Sequence, residues 1–491
     1  MPPIDSLHCT DRSRRAGAAA IAEECRFELK WVRPPLPTFK VPEGHDDDSF
    51  VRQLAFEGAR ERWGEPGPKE TAQLDHELTV IARLGYSGFF LVMWDAVRFA
   101  RERGILAQGR GSAANSAAAY CLGITAVDPV KHGLLFERFL SEARVEGMTE
   151  APDIDVDFEH DRREEVLDYV YRRYQRSHSA ITGVTQIYSA CTAIQDGMRA
   201  FGYPAELAFK LSKRLHRAGC RDGIAILQGG LAAAQGFDLT DPRAQAVLTA
   251  MAGFDELPRL RSTHPGGFVL SAARLGSHLP IESTSMGRTI IQFDKDDLDS
   301  LGIPKFDFLG LGGLAAVRRA FDAIEARTGT SFSMYRLPTD DAATYEMISQ
   351  GDTIGTFQIE SRAQIASILH TRPELLYDIV VQVALIRPGP IQAKFVHPYT
   401  KRRRGQEAVT YLHPALEPIL ARTQGIPIFQ EQAMAIAMAL GNYTAAEADL
   451  LRRTMGHQRK RHRLIEALEQ LRTRLVSNDI GQEVADRIAE D

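Results

Sequence analysis

The stretch 152–158, PDIDVDF, carries an acid at every second residue: Asp153, Asp155 and Asp157. A period of two is that of a β-strand, whose residues i and i+2 point to the same face. One face of this strand is acidic and the other presents Ile154, Val156 and Phe158. The segment is therefore predicted to lie between an apolar layer and a polar surface. Carboxylates about 6.5–7 Å apart along one face repel each other unless a cation sits among them. Magnesium prefers oxygen ligands and usually takes one or two carboxylates plus substrate phosphates. Two such ions, about 3.5–4 Å apart, serve the attacking and leaving oxygens of a phosphoryl transfer. A D-x-D strand plus one further acid is the minimum ligand set for that chemistry. Two plainer readings compete. Asp153, Asp155, Asp157 and Glu164 match the first, third, fifth and twelfth positions of a calcium loop, but Phe158 stands where that loop needs glycine for its sharp turn. The other is a solvated acidic strand face.

A glycine loop precedes the acids. Residues 108–116, QGRGSAANS, follow a short apolar strand and open a helix of small residues. Glycines let the backbone approach a phosphate, and a helix N-terminus offers N–H groups and the positive end of a dipole. Arg110 can fork onto phosphate oxygens and Ser112 can donate a further bond. The loop has neither the G-K-[ST] of a Walker A motif nor the G-x-G-x-x-G of a dinucleotide fold. Alone it is more often just a tight turn; followed by D-x-D, it has the order of a nucleotidyltransferase site.

The third acid stands in KFDFLGL, residues 305–311. Asp307 sits among apolar neighbours, and a buried carboxylate needs a partner. A metal shared with Asp153 and Asp155 is one candidate; an ion pair with Lys305, on the same strand face, or a helix cap is the other. Lys305 is also placed to reach a triphosphate oxygen.

Around these motifs the patterning is mostly helical. Residues 49–64, 70–85 and 88–104 have a period near 3.6, with Gly104 as a C-terminal cap, and 159–175 form a charged helix. Short helices are expected over 185–260, strand and turn near 263–312, and helices from 313 onward. The chain is 44% hydrophobic and 25% charged with a net charge of −5, an ordinary globular composition that neither demands nor excludes nucleic acid. Its five cysteines, at 9, 25, 121, 191 and 220, show no C-x-x-C spacing, which argues for reduced thiols. No apolar run is long enough to span a membrane, and the start lacks an apolar leader, so a cytoplasmic location and no membrane partner are expected.

The blocks QGRGSAANS, CLGITAVDP, LLFERFLSEAR, PDIDVDFEHDRREEV, HPGGFVLS, KFDFLGL, GDTIGTFQIESR, VALIRPGPIQ, GIPIFQEQAMAIA and EADLLRRTMG resemble the C-family DNA polymerases, the alpha subunit of bacterial DNA polymerase III. Their wording is closest to the error-prone, translesion branch. The resemblance implies an α+β, multidomain chain: a polymerase-beta-like nucleotidyltransferase palm over 46–184 and 263–312, a helical thumb inserted at 185–262, and incomplete helical fingers over 313–491. Residues 1–45 resemble a remnant of the PHP domain and a linker. Asp153, Asp155 and Asp307 match the metal ligands for two Mg²⁺ ions, with Mn²⁺ able to substitute. Arg110, Gly111 and Ser112 match the loop that holds the incoming triphosphate, and Lys305 a further phosphate contact. Arg387, Arg452 and Arg453 match finger residues near the nucleotide. His264 lies in a family block, and its plain reading is a turn histidine.

The expected activity is DNA-templated DNA synthesis, with primer–template DNA and dNTPs as partners and a place in repair or replication. The chain lacks most of the PHP domain and the C-terminal domains of the family, so a fragment is expected. Sliding-clamp or translesion accessory contacts then belong to the full-length protein. The alternative is a catalytically inert DNA-binding fragment. Lys401, Arg402, Arg403 and Arg404, with Arg459, Lys460 and Arg461, are basic runs suited to DNA phosphates, although such runs are often only solvated helix faces.

Overall fold

The computed structural model describes residues 17, 20–25, 34–140, 154–284, 287–392, 394–456 and 461–490. Asp153, Arg459 and Lys460 lie outside the described residues. Arg461 begins a helix whose first side chains are likewise outside them.

Among the described residues seven strands form one mixed sheet: β1 (Ala107–Arg110), β2 (Ile154–Glu159), β3 (Ser179–Ile187), β4 (Pro258–Leu270), β5 (Ile281–Ser283), β6 (Thr289–Ile291) and β7 (Phe306–Leu311). Their spatial order is β1-β2-β7-β4-β3-β6-β5. β2 and β7 run parallel, although everything between 160 and 305 separates them in sequence; β1 and β4 flank the pair antiparallel.

The apolar face of this centre packs on helices. Ile154, Val156, Phe158, Phe306 and Phe308 are fully buried in one core with Leu74, Ile81, Phe89, Phe90 and Val97. These last come from helices Pro68–Arg83 and Ser87–Glu102, and helix Asp47–Trp63 adds Val51, Ala55 and Ala59 to the same core. Phe89 stacks on Phe306, ring centroids 4.2 Å apart. The helices begin where local chemistry directs. Asp46 and Ser49 form a capping box, and Pro68 occupies the first turn of the second helix. Gly104, with φ +66°, follows the third helix in the left-handed region, as its cap position requires.

Between β3 and β4 the chain leaves the sheet. Helices Ala190–Ala200, Ala205–Arg214, Cys220–Ile226 and Pro242–Gly253 close on their own apolar core, which includes Ile194, Leu211, Val247 and Met251. The helical expectation for this stretch holds, but its edges do not. Strand β3 spans Ser179–Ile187, and its last residues continue with β4 as a largely exposed ribbon. The segment SAITGVTQI offers no clean alternation, because its first five residues are buried on both faces. Only pairing with β4 and β6 makes it a strand.

Beyond β7 the fold is helical, from Gly312–Thr328 to Gln482–Glu490, in three smaller cores. Arg138 pairs with Glu431, and Arg422 Nη1 donates to the His132 carbonyl at 3.1 Å; both join this region to the sheet-bearing part. Among the described residues no single helix is long and apolar enough to cross a membrane.

Candidate active site

Strand register builds the site. Asp155 pairs across β2 and β7 with Asp307, across β1 with Arg110, and Asp307 pairs across β4 with Gly267. Arg110, Asp155, Asp307 and Gly267 thus form one row over four strands, neighbours being about 4.8 Å apart. Asp157 and Glu159 follow Asp155 on the same face of β2, and Lys305 stands just before β7, two residues ahead of Asp307. Because Asp155 and Asp157 lie on a regular strand, the calcium-loop reading is excluded. The solvated-face reading is not what the described acids of this strand show, since the Asp155 and Asp157 side chains are only 25% and 8% exposed.

The acids are partly neutralised from within. Lys305 forms an ion pair with Asp307 Oδ2, so the plain reading of Asp307 is realised on that oxygen. Asp307 Oδ1 is buried and has no hydrogen-bond donor among the described residues. Such an oxygen is costly unless something else binds it. Together with Asp155 on the adjacent strand, it fits a hard divalent cation. Among the described residues no group of three ligands is assembled; the expected third, Asp153, lies outside them. Arg110 Nε stands 4.0 Å from Asp155 Oδ2 and 3.8 Å from Asp157 Oδ2. Burial raises the Asp157 carboxyl above its ordinary value, and Arg110 opposes that shift. Glu159 is also raised by burial, with Arg162 Nη1 3.7 Å away.

His264 lies beside the acids within β4, not in a turn, and serves the irregularity where the β3–β4 register shifts. Its Nδ1 accepts the N–H of Gly266, at 3.1 Å, and that of Gly267. A ring nitrogen that accepts two backbone donors carries no proton, so its 3.8 Å approach to Asp307 Oδ1 is not an ion pair. Burial lowers the imidazole pKa, in agreement. A side chain at Gly267 would put its Cβ 2.8 Å from this nitrogen. This irregular part of β4 is braced by Arg163, whose Nε donates to the Phe308 carbonyl at 2.6 Å and which also bonds the Pro265 carbonyl. Since the folded state disfavours imidazolium, stability contributed by neutral His264 is present above the ordinary imidazole range, near pH 6.5, and is lost as pH falls below it. We expect the melting temperature to drop on acidification from pH 7.5 to 5.5. The drop should shrink in His264→Asn, whose Oδ1 can accept without titrating. An equal drop in both proteins would refute this role.

The glycine loop departs from expectation in one respect. Gly111, φ +61°, lies close to Asp155: a Cβ there would sit 3.8 Å from its Oδ2. Gly109 N–H bonds the Ile124 carbonyl at 2.6 Å, and a Cβ on Gly109 would be 2.8 Å from that oxygen. Residues Gly111–Asn115, including Ser112, make a single 3₁₀ turn before the short helix Ala117–Cys121. The N-terminus of that helix is not open to a ligand, because Glu77 fills it. The Glu77 carboxylate is fully buried and accepts from Ser116 Oγ (2.7 Å), Ala117 N (2.9 Å), Ala118 N (3.0 Å) and Gln73 Nε2 (2.9 Å). Burial raises its pKa against these four donors. No motif in the sequence singles out Glu77, which reads as one polar residue of an amphipathic helix.

Family models match the two parts of this architecture in turn. That of the bacterial DNA polymerase III alpha NTPase domain covers residues 49–310, and that of the finger domain of the same subunit covers 313–479. The chain belongs to the bacterial DNA polymerase III alpha family. It is 45% identical over 470 residues to an error-prone DNA polymerase of Alkalilimnicola ehrlichii, a match covering 95% of this chain and 45% of that protein. It is 46% identical over 478 residues to the error-prone DNA polymerase of Pseudomonas aeruginosa, covering 96% and 45%. The one from Nocardia farcinica is 45% identical over 479 residues, covering 97% and 40%. The chain thus spans less than half the length of these polymerase III alpha relatives.

The remaining expected site residues lie in the finger match. Arg387 is exposed between helices Leu376–Leu385 and Pro388–Gln392. Arg452 and Arg453 both bond the buried Asp449, through Nε at 2.9 Å in each case. No described contact joins these three to the acids. The basic run 401–404 is largely used inside the protein. Arg402 bonds Glu407 and the Gln424 carbonyl, each at 2.9 Å. Arg403 grips Asp378 with two bonds, of 2.9 and 2.6 Å. Arg404 donates to carbonyls near the C-terminus of helix Arg362–Thr371, where a cation also meets the negative dipole end. Lys401 is exposed. Arg403→Ala is therefore expected to lower stability by about 2 kcal/mol, whereas Lys401→Ala should weaken DNA binding and leave stability unchanged. Urea denaturation and binding to a labelled duplex separate the two; the reverse pattern would refute the assignment.

Proposed function

We propose that this chain is the catalytic core of an error-prone, translesion-type DNA polymerase that adds deoxynucleotides to a primer 3′-hydroxyl on a DNA template. The sheet-bearing part serves as palm, the helices between β3 and β4 as thumb, and the helices beyond β7 as fingers. The observation that carries this reading is the register of Asp155 with Asp307 on adjacent parallel strands, with Arg110 in the same row.

Asp155 and Asp307, with Asp153 two residues earlier in the sequence, are the carboxylates for two Mg²⁺ ions. Bound there, the ions would lower the pKa of the primer hydroxyl and neutralise the leaving phosphates. The chain's own residues do the positioning. Arg110 and Lys305 are the cations nearest the acids and reach the triphosphate oxygens, while Ser112 in the 3₁₀ turn donates beside them. Gly111 leaves room for a phosphate against the backbone. The catalysis is alignment and charge neutralisation, with no covalent step on the protein. Arg387, exposed in the fingers, is assigned to the nucleotide as well. Lys401, with Arg459, Lys460 and Arg461, is assigned to template or primer phosphates. Templated extension of a labelled primer with Mg²⁺ and all four dNTPs tests this reading. Addition of nucleotides without regard to the template, or none at all with DNA still bound, would refute it.

A further inference from the structure

Asp157 is an acid that the proposed chemistry does not use. It follows Asp155 on the same face of β2, its side chain is 8% exposed, and Arg110 Nε lies 3.8 Å from its Oδ2. Arg110 is the diagonal neighbour of Asp157 across the β1–β2 pair, since its own register partner is Asp155 and that of Asp157 is Gln108. Diagonal neighbours lie within reach of a long side chain. The approach is through Nε, the nitrogen nearest the backbone. The two terminal amino groups of Arg110 have no partner among the described residues, and half of the side chain is exposed. The guanidinium thus faces the acids at its base, within ion-pair but not hydrogen-bond distance, with the fork left for a ligand.

We propose that Asp157 is a positioning residue: it holds Arg110 so that the fork of the guanidinium meets the triphosphate of the incoming dNTP. This inference rests on the polymerase reading above. Asp155 shares Arg110 only until its oxygens are needed for a divalent cation, whereas Asp157 remains. Without Asp157, the half-exposed Arg110 would lose its fixed base and have to order its several rotors at the moment of binding, which weakens each bond it makes. The opposite sign is the natural rival. An acid close to a triphosphate repels it and competes for the arginine, so its removal would tighten binding. The anchored Nε and free fork favour the first outcome, because acid and phosphate then use different edges of one guanidinium.

A double-mutant cycle decides between them. The full chain is bound to a primer–template whose primer ends in a dideoxynucleotide, so no chemistry occurs. The dissociation constant of dATP opposite a templating T is then measured with Mg²⁺ present. Asp157→Asn should weaken dATP binding about tenfold, the scale of one charge-assisted bond, and leave primer–template affinity unchanged. Arg110→Ala should weaken it at least as much, and Asp157→Asn added to Arg110→Ala should do nothing further. Asp157→Glu should recover most of the loss. Tighter or unchanged dATP binding in Asp157→Asn, or effects of the two substitutions that multiply, would overturn the proposal. If Asp157→Asn does not fold, the same cycle with Asp157→Ser decides by the same criterion. A wild-type chain that binds DNA but no dATP would instead refute the polymerase reading, and this inference with it.

Discussion

Asp155→Ala is expected to lower templated primer extension by about 10³-fold or more while leaving duplex binding within about twofold of wild type. Asp155 is the centre of the row that crosses the sheet, flanked by Arg110 on one side and Asp307 on the other. Its removal leaves Asp307, already paired with Lys305 on one oxygen, as the only carboxylate in the row. Asp307 shared with a lysine, even with Asp153 assigned to the same ions, is a poor site for two divalent ions. The fold should survive, because Asp155 lies on the face opposite the apolar core and Ile154 and Val156 keep their burial. Extension by wild type and variant, followed on a labelled primer beside a DNA-binding titration, checks both halves. Extension within tenfold of wild type would remove Asp155 from the chemistry; loss of DNA binding in parallel would mean that the substitution acts on structure.

Glu77→Ala is expected to destabilise the protein by about 3–5 kcal/mol. Four donors converge on two oxygens, and two of the donors are backbone N–H groups that no side chain could otherwise reach. Alanine leaves them unpaired in a dry interior and removes packing between helix Pro68–Arg83 and helix Ala117–Cys121. Glu77→Gln keeps the shape but turns one acceptor into a donor, facing donors, so its cost should be smaller, about 2 kcal/mol. Urea denaturation gives both values. Activity should fall with stability, because the helix that Glu77 pins continues directly from Gly111 and Ser112. A loss below about 0.5 kcal/mol in Glu77→Ala would mean that water replaces the carboxylate.

Glu77 and Arg402–Arg404 mark the two directions in which local reading falls short. An amphipathic helix shows which face is buried, but not that one acid on that face will cap another helix forty residues later. A run of cations shows charge, but not that Asp378, Glu407 and a helix C-terminus are waiting for three of them. Both are facts of packing between segments distant in the chain. β3 is a third case, since strand formation there depends on partners on both sides more than on its own pattern.

The sequence by itself determined the parts. The period of two in PDIDVDF pointed to a strand, and in a strand backbone geometry puts alternate residues, here the acids, on one face. The 3.6-residue periodicity dictated the helices that cover the other face, and the glycines of QGRGSAANS dictated a close backbone turn beside the acids. The order of the motifs carried the family. Only the tertiary structure decided what those parts do together. It set Asp307 beside Asp155 by pairing two strands from opposite ends of a long excursion, placed Arg110 between Asp155 and Asp157, and gave His264 to the irregularity of its own strand. The reason is physical: a residue's direction within a strand or helix is a local property of the backbone, whereas its partners are set by register and packing, which depend on the whole chain.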